Sequence, residues 1–206
     1  MAIVTDIRDF RGVIAVYADG TLVMRVAKKH FNKIKLTVGD DFEPDEYADS
    51  LAAIQMNDAY EFALTCLDFS QRSSGELTKK LISRGYVQPA AEAAVARLIE
   101  VGIIDDARYA RRIAETSTHK NVGVYAMKRK LMSKGFSEED TENALTALDD
   151  EQQRSACKAI ADKFRTKYAA LPPREARAKL SQALARRGFS WDVISGVLDN
   201  ADEDFE

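Results

Sequence analysis

Leu81-Ile82-Ser83-Arg84-Gly85-Tyr86 recurs as Leu131-Met132-Ser133-Lys134-Gly135-Phe136, and again as Leu184-Ala185-Arg186-Arg187-Gly188-Phe189. The three glycines are 50 and 53 residues apart. Each copy has Leu four residues before Gly, a cation immediately before it and an aromatic ring immediately after it. An apolar residue follows ten positions after each Gly: Val95, Leu145 and Leu198. A fixed period of this length marks tandem copies of one supersecondary unit. Such arrays present an extended surface to a large partner more often than a catalytic cleft.

Working outward from the first copy, Ser73-Ser74-Gly75-Glu76 has the spacing of a capping box, in which Ser accepts a backbone N–H and Glu reaches back to another. The helix it starts runs to Arg84, with Leu77 and Leu81 inward. Gly85 stops it, because glycine takes the left-handed C′ conformation without steric cost. Pro89 opens the next helix, with Val95, Leu98 and Ile99 on one face. A preceding helix over 59–69 presents Phe62, Cys66 and Phe69. The cycle repeats with helices over 106–117, 123–134 and 138–149, then over 151–168, 173–187 and 191–199. Asp105-Asp106 and Pro172-Pro173 lie at helix entries, where acids and proline are favoured. Units this small bury too little surface alone, so stacking against neighbours supplies the remainder.

The first 56 residues read differently. Val13–17 and 22–26 are β-rich runs separated by Asp19-Gly20, a tight-turn pair, and predict a hairpin over 12–27. Residues 28–38 fit either a short helix or a strand. Pro44 can open a helix continued by Tyr47, Leu51 and Ile54. The fold expected is mainly α: three tandem three-helix repeat units in an elongated array, preceded by a short N-terminal β-hairpin segment. The expected divisions are 1–56 (β-containing), 57–104, 105–150 and 151–198 (three helices each), and 199–206 (acidic tail).

Composition narrows the function. The net charge of −3 conceals an asymmetry. Residues 57–198 hold 23 Lys/Arg against 19 Asp/Glu, whereas residues 199–206 hold no Lys/Arg and 5 Asp/Glu. A mildly basic body thus precedes an acidic tail, and the isoelectric point alone would miss a basic binding face. No apolar run approaches the length of about 18 residues that marks a membrane span, and the start has no signal-peptide character. Cys66 and Cys157 lie in apolar helical patterns and read as buried, inert thiols, consistent with a cytoplasmic location. His30 and His119 each adjoin lysine and read as solvated. There is no phosphate loop, nucleophile elbow or metal-ligand spacing. Asp105-Asp106 and Glu138-Glu139-Asp140 are accounted for as helix-start partners of the macrodipole. The expectation is a non-enzyme with no cofactor and no metal.

The basic residues point to binding. The second helices carry Lys79, Lys80 and Arg84 in the first unit, and Lys128, Arg129, Lys130 and Lys134 in the second; the third ends with Arg186 and Arg187. One cation at each helix C-terminus is explained by the macrodipole, a gain of about 0.3–1 kcal/mol. The clusters at Lys79-Lys80 and Lys128-Arg129-Lys130 exceed that need and suit an acidic protein surface or a phosphate backbone. The rings Tyr86, Phe136 and Phe189 fit the hydrophobic contact of a Gly-terminated helix, with base stacking as the other reading.

The same residues carry a resemblance. Arg72-Ser73-Ser74-Gly75-Glu76-Leu77-Thr78-Lys79-Lys80-Leu81 resembles the first-unit signature of the RecX family, bacterial regulators of the RecA recombinase. Leu98 through Ala110, with Gly102, Asp105, Asp106, Arg108 and Tyr109, is similar to that family's junction into the second unit. Lys130–136 and Arg186–190 resemble the later motifs. The likeness spans roughly 57–198, more weakly the hairpin, and neither the first nine residues nor the tail. It implies a non-enzymatic modulator that lies in the groove of a RecA–single-stranded-DNA filament; a monomer is the expected state. The implied outcome is suppression of strand exchange, ATP hydrolysis and filament growth, with direct contact to single-stranded or duplex DNA in some members. The second reading is a stand-alone DNA-binding protein with helix-turn-helix-like units, although no third helix is rich in base-reading side chains.

Overall fold

The computed structural model describes residues 1–203, with side chains through residue 199. It divides into two compact units, Met1–Asp105 and Asp106–Glu206.

The first unit opens with an antiparallel sheet of β1 (Ala2–Phe10), β2 (Val13–Ala18), β3 (Thr21–Ala27) and β4 (Asp41–Phe42), in the order β3-β2-β1-β4. Asp19 and Gly20 both have positive φ, 50° and 78°, as a two-residue hairpin turn matching strand twist requires. The sheet is therefore wider than the hairpin read from sequence. Strand β1 escaped that reading because Asp6, Arg8 and Asp9 interrupt its apolar run, and Val4 is its one fully buried residue. Residues 28–38 begin with a single helical turn, α1 (Lys28–Phe31), which buries His30 and Phe31.

The next helix, α2 (Pro44–Phe69), is continuous through the division expected at residue 57. The reason is that it serves two cores. Leu51 and Ala52 pack with the sheet residues Val4, Val16 and Val26, while Ala59, Ala63 and Cys66 pack with Leu77, Leu81 and Leu98. The small residues allow α4 (Gln88–Glu100) to approach closely through Ala90, Ala91 and Ala94. Phe69, expected to face inward, is 85% exposed because it is the last residue of α2, and the chain turns to an extended conformation at Ser70. Helix α3 (Ser74–Ser83) has the capping box in full: Ser73 Oγ accepts from Glu76 N at 3.0 Å, and Ser73 N donates to Glu76 Oε2 at 3.3 Å.

The second unit comprises α5 (Asp106–Thr118), α6 (Val124–Ser133), α7 (Glu138–Thr146), α8 (Asp150–Tyr168), α9 (Pro173–Arg186) and α10 (Trp191–Glu203). These are two sets of three helices. One buries Ala110, Leu131, Phe136 and Ala144; the other buries Cys157, Leu184, Phe189 and Ile194. The acidic tail at 199–206 lies outside the described side chains apart from Asp199, which pairs with Arg177.

All three repeated glycines are left-handed, with φ of 88° at Gly85, 80° at Gly135 and 87° at Gly188. In each turn the glycine N–H bonds back to Ile82, Met132 or Ala185, and the following aromatic N–H reaches Leu81, Leu131 or Leu184. That pair of bonds satisfies carbonyls the helix end would otherwise leave open. Tyr86, Phe136 and Phe189 are all buried, so their rings pack the cores instead of meeting nucleic-acid bases.

Candidate functional site

The glycine turns are also docking points, which the motif alone did not reveal. The Gly85 carbonyl accepts from Ala27 N at 2.8 Å, at the end of β3, and from Gln55 Nε2 at 3.0 Å. Gln55 Oε1 in turn accepts from Val87 N at 2.7 Å. A fully buried amide thus clasps the α3–α4 turn to α2. In the second unit, Gly188 O accepts from Tyr125 N at 2.9 Å and Arg187 O accepts from Gly123 N at 3.1 Å. The start of α6 is therefore seated on the end of α9.

Beside the first turn lies a cluster of ionisable groups. Asp58 Oδ2 accepts from Tyr86 Oη at 2.6 Å and meets Lys29 Nζ at 2.6 Å and His30 Nε2 at 3.2 Å. His30 is 3% exposed and lies against the Tyr86 ring, correcting its reading as a solvated side chain. Burial pushes its pKa below the ordinary value, against the pull of Asp58. For Asp58, burial acts upward, but the bonds from Lys29 and Tyr86 outweigh it and hold the carboxyl below its ordinary range. The Tyr86 hydroxyl is pushed well up by burial and by Asp58. The cluster ties α1, α2 and the α3–α4 turn together. Burial likewise raises the Cys157 thiol to about 11, in keeping with an inert side chain. His119 is exposed. Among the described residues, no group of three or more His, Cys, Asp or Glu could hold a metal ion.

The basic residues divide into distinct settings. Lys79 and Lys80 are exposed on α3. Arg84 lies over the Phe62 ring at 5.3 Å, and Phe62 is stacked on Tyr86 at 5.9 Å. The second repeat reproduces the arrangement: Lys134 lies 5.9 Å from the Tyr109 ring, which meets Phe136 edge-on at 5.4 Å. The cation before Gly is therefore an anchor over a first-helix aromatic in both units, at about 0.5–1 kcal/mol for an exposed pair. Phe62 and Tyr109 stand in the sequence, but their distance from the cations along the chain hides the pairing. Lys130 donates to Ser117 Oγ at 3.3 Å and so faces α5, whereas Lys128 lies 3.4 Å from Glu142 on α7. Arg129, Arg186 and Arg187 are exposed.

Two of them share one surface feature. Lys128 and Arg129 line an open depression of about 820 Å³ with Tyr125, Met132, Ala185 and Phe189. Tyr125 is 55% exposed and Met132 is 45% exposed. Arg186 and Arg187 follow Ala185 at the end of α9. Aromatic, methionine and arginine side chains are the types enriched where proteins meet.

Models of two RecX domains match this chain: the first three-helix domain over residues 59–98 and the third over residues 150–198. A regulatory protein RecX from Stenotrophomonas maltophilia is 34% identical over 134 residues, 64% of this chain and 80% of that protein. The chain belongs to the RecX family. Its similarity to the regulatory protein RecX of Limosilactobacillus reuteri, 27% identical, extends over 92% of this chain and 72% of the relative. A crystal structure of a regulatory protein RecX superposes with a TM-score of 0.66 at 27% identity, covering 97% of this chain and 100% of that one. The mainly helical fold, with RecX three-helix domains behind a short β segment, is thus that of RecX proteins, and these relatives are named as regulators. Among the described residues no helix is long and apolar enough to cross a membrane.

Proposed function

We propose that this RecX-family regulator acts without catalysis of its own, binding the RecA–single-stranded-DNA filament in its helical groove and inhibiting strand exchange, ATP hydrolysis and filament growth. The observation that carries this reading is the depression where α6 meets the end of α9. There, Lys128 and Arg129 border exposed Tyr125 and Met132. Cations around an exposed apolar centre suit a protein partner of opposite charge, and they also suit a phosphate backbone within a nucleoprotein filament. Lys79 and Lys80 supply a further exposed pair on α3. Arg84 and Lys134 contribute less, being held over rings of their own units.

Arg129→Glu alone, and the triple Lys128→Glu, Arg129→Glu, Lys130→Glu variant, are expected to weaken co-sedimentation with RecA-type filaments by about tenfold or more, through lost attraction and added like-charge repulsion. The exposed Arg129 change should alter stability by only about 0.5 kcal/mol or less. A direct phosphate contact would make log affinity for DNA fall steeply with log salt, with a shallower slope in the triple variant. Variants that stay folded and bind filaments like the parent at every salt concentration would show these cations to be a solvated face.

A further inference from the structure

Two depressions meet over the end of α9. One, of about 490 Å³, lies between α9 and α10, where Arg174, Arg177, Trp191, Ile194 and Leu198 line it together with Ala185. The other is the depression beside α6, and Ala185 lines it too. Arg177 donates to Leu198 O at 3.3 Å, so α10 runs back along α9 and brings Trp191 to the Ala185 end. The joint trough therefore has Arg174 at one end, Lys128 and Arg129 at the other, and Trp191, Ala185 and Met132 between them. From Arg174 to Ala185 alone it follows α9 for about 16 Å.

Its middle is open and apolar. Trp191 is 69% exposed, although Ile194 and Leu198 of the same helix are buried. A large ring left open on a groove wall is the kind of side chain that dominates binding energies between proteins. Charge is one-sided. Among the described residues, no aspartate or glutamate lines either depression, in a chain whose net charge is −3. Arg177 is held by Asp199, and Lys128 lies beside Glu142. Arg174 and Arg129 are exposed, and among the described residues neither forms an ion pair within the chain. Each end thus keeps one uncompensated cation.

We propose that this trough accepts an acidic segment of a partner protein, with carboxylates toward both ends and large apolar side chains between them that pack on Trp191 and Met132. The inference rests on the proposed function and deepens it, by choosing protein over phosphate backbone as the occupant of this surface. A nucleic-acid strand carries a phosphate at every nucleotide and calls for cations all along its track. Here the cations stand at the ends, and the apolar middle suits an amphipathic segment laid into a groove between helices.

The test uses the full chain and reads the fluorescence of Trp191, its one tryptophan. Three probes are compared. The first is a blocked peptide of about twelve residues, long enough as a helix to cover the α9 face, with a leucine–alanine middle and glutamates at both ends. The second replaces the glutamates with lysines, and the third is oligothymidylate. The glutamate peptide should shift the emission to the blue and bind about tenfold or more tightly than either of the others. Arg174→Glu should weaken that binding about tenfold, whereas Lys163→Glu, the same charge change at an exposed site on α8, should not. Calorimetry on Trp191→Ala should show a loss at least as large as that of Arg174→Glu. An emission unchanged by millimolar glutamate peptide would overturn the inference. So would equal binding of the lysine peptide, tighter binding of the oligonucleotide, or a blue shift that grows with protein concentration alone and so marks a second copy. Filament inhibition without peptide binding would remove this inference and leave the proposed function; peptide binding without inhibition would do the reverse.

Discussion

Gly85→Ala and Gly188→Ala are each expected to lower stability by about 2–5 kcal/mol, combining roughly 1–2 kcal/mol for a left-handed non-glycine residue with about 1–3 kcal/mol of overpacking. A Cβ on Gly85 would lie 2.3 Å from Ala27 N, and one on Gly188 would lie 2.3 Å from Ala126 N. Both obstacles are backbone, so neither can swing aside. Two other glycines separate the causes. Gly102 has φ of 74° with open space where its Cβ would go, so alanine there should cost only the conformational part, about 1–2 kcal/mol. Gly123 has an ordinary φ of −76°, but its Cβ would lie 2.2 Å from Gly188 C and Phe189 N. Gly123→Ala therefore reports close approach alone. Urea denaturation followed by circular dichroism measures the series. If Gly85→Ala and Gly102→Ala shift the curves equally, the α3–α4 turn is not docked on β3 as described. Gly135→Val should also destabilise, by about 1 kcal/mol or more, because a branched side chain resists φ of 80°.

Gln55→Leu is the second large effect, expected at about 1–3 kcal/mol. Leucine keeps the bulk but removes the acceptor for Val87 N, leaving a buried donor without its partner. Gly85 O loses one of two donors and retains Ala27 N. The same substitution at Gln88, an exposed residue whose amide bonds to Glu92, should be nearly neutral. Thermal melts of the two variants compare them directly. Equal melting temperatures for Gln55→Leu and the parent would mean that the amide clasp contributes nothing.

The helical frame was legible because its signals are local. Three glycine turns, the Ser73 capping box and the prolines at 89 and 173 each act within a few residues, and all lie where the spacing put them. The interactions that join one element to another were not legible. Gln55 reads as a polar position on an amphipathic helix; its burial follows from the α3–α4 turn arriving 30 residues later in the chain. His30 stands beside Lys29 and looks solvated, but Asp58 and Tyr86 close over it from distant positions. The same limit shaped the candidate surface. Arg84 and Lys134 looked equivalent to Arg187, yet the first two rest over Phe62 and Tyr109. The third set also has a first-helix aromatic, Phe164, but that ring stacks on Tyr168. Charge was readable; the aromatic beneath it depended on tertiary packing.

The most direct measurement adds the purified full chain to RecA-type filaments on single-stranded DNA, at concentrations below that of the recombinase, and follows ATP hydrolysis, strand exchange and filament length together. All three should fall, and Arg129→Glu should need a higher concentration for the same effect. Hydrolysis, exchange and length that stay unchanged even with the chain in excess would contradict the proposed function.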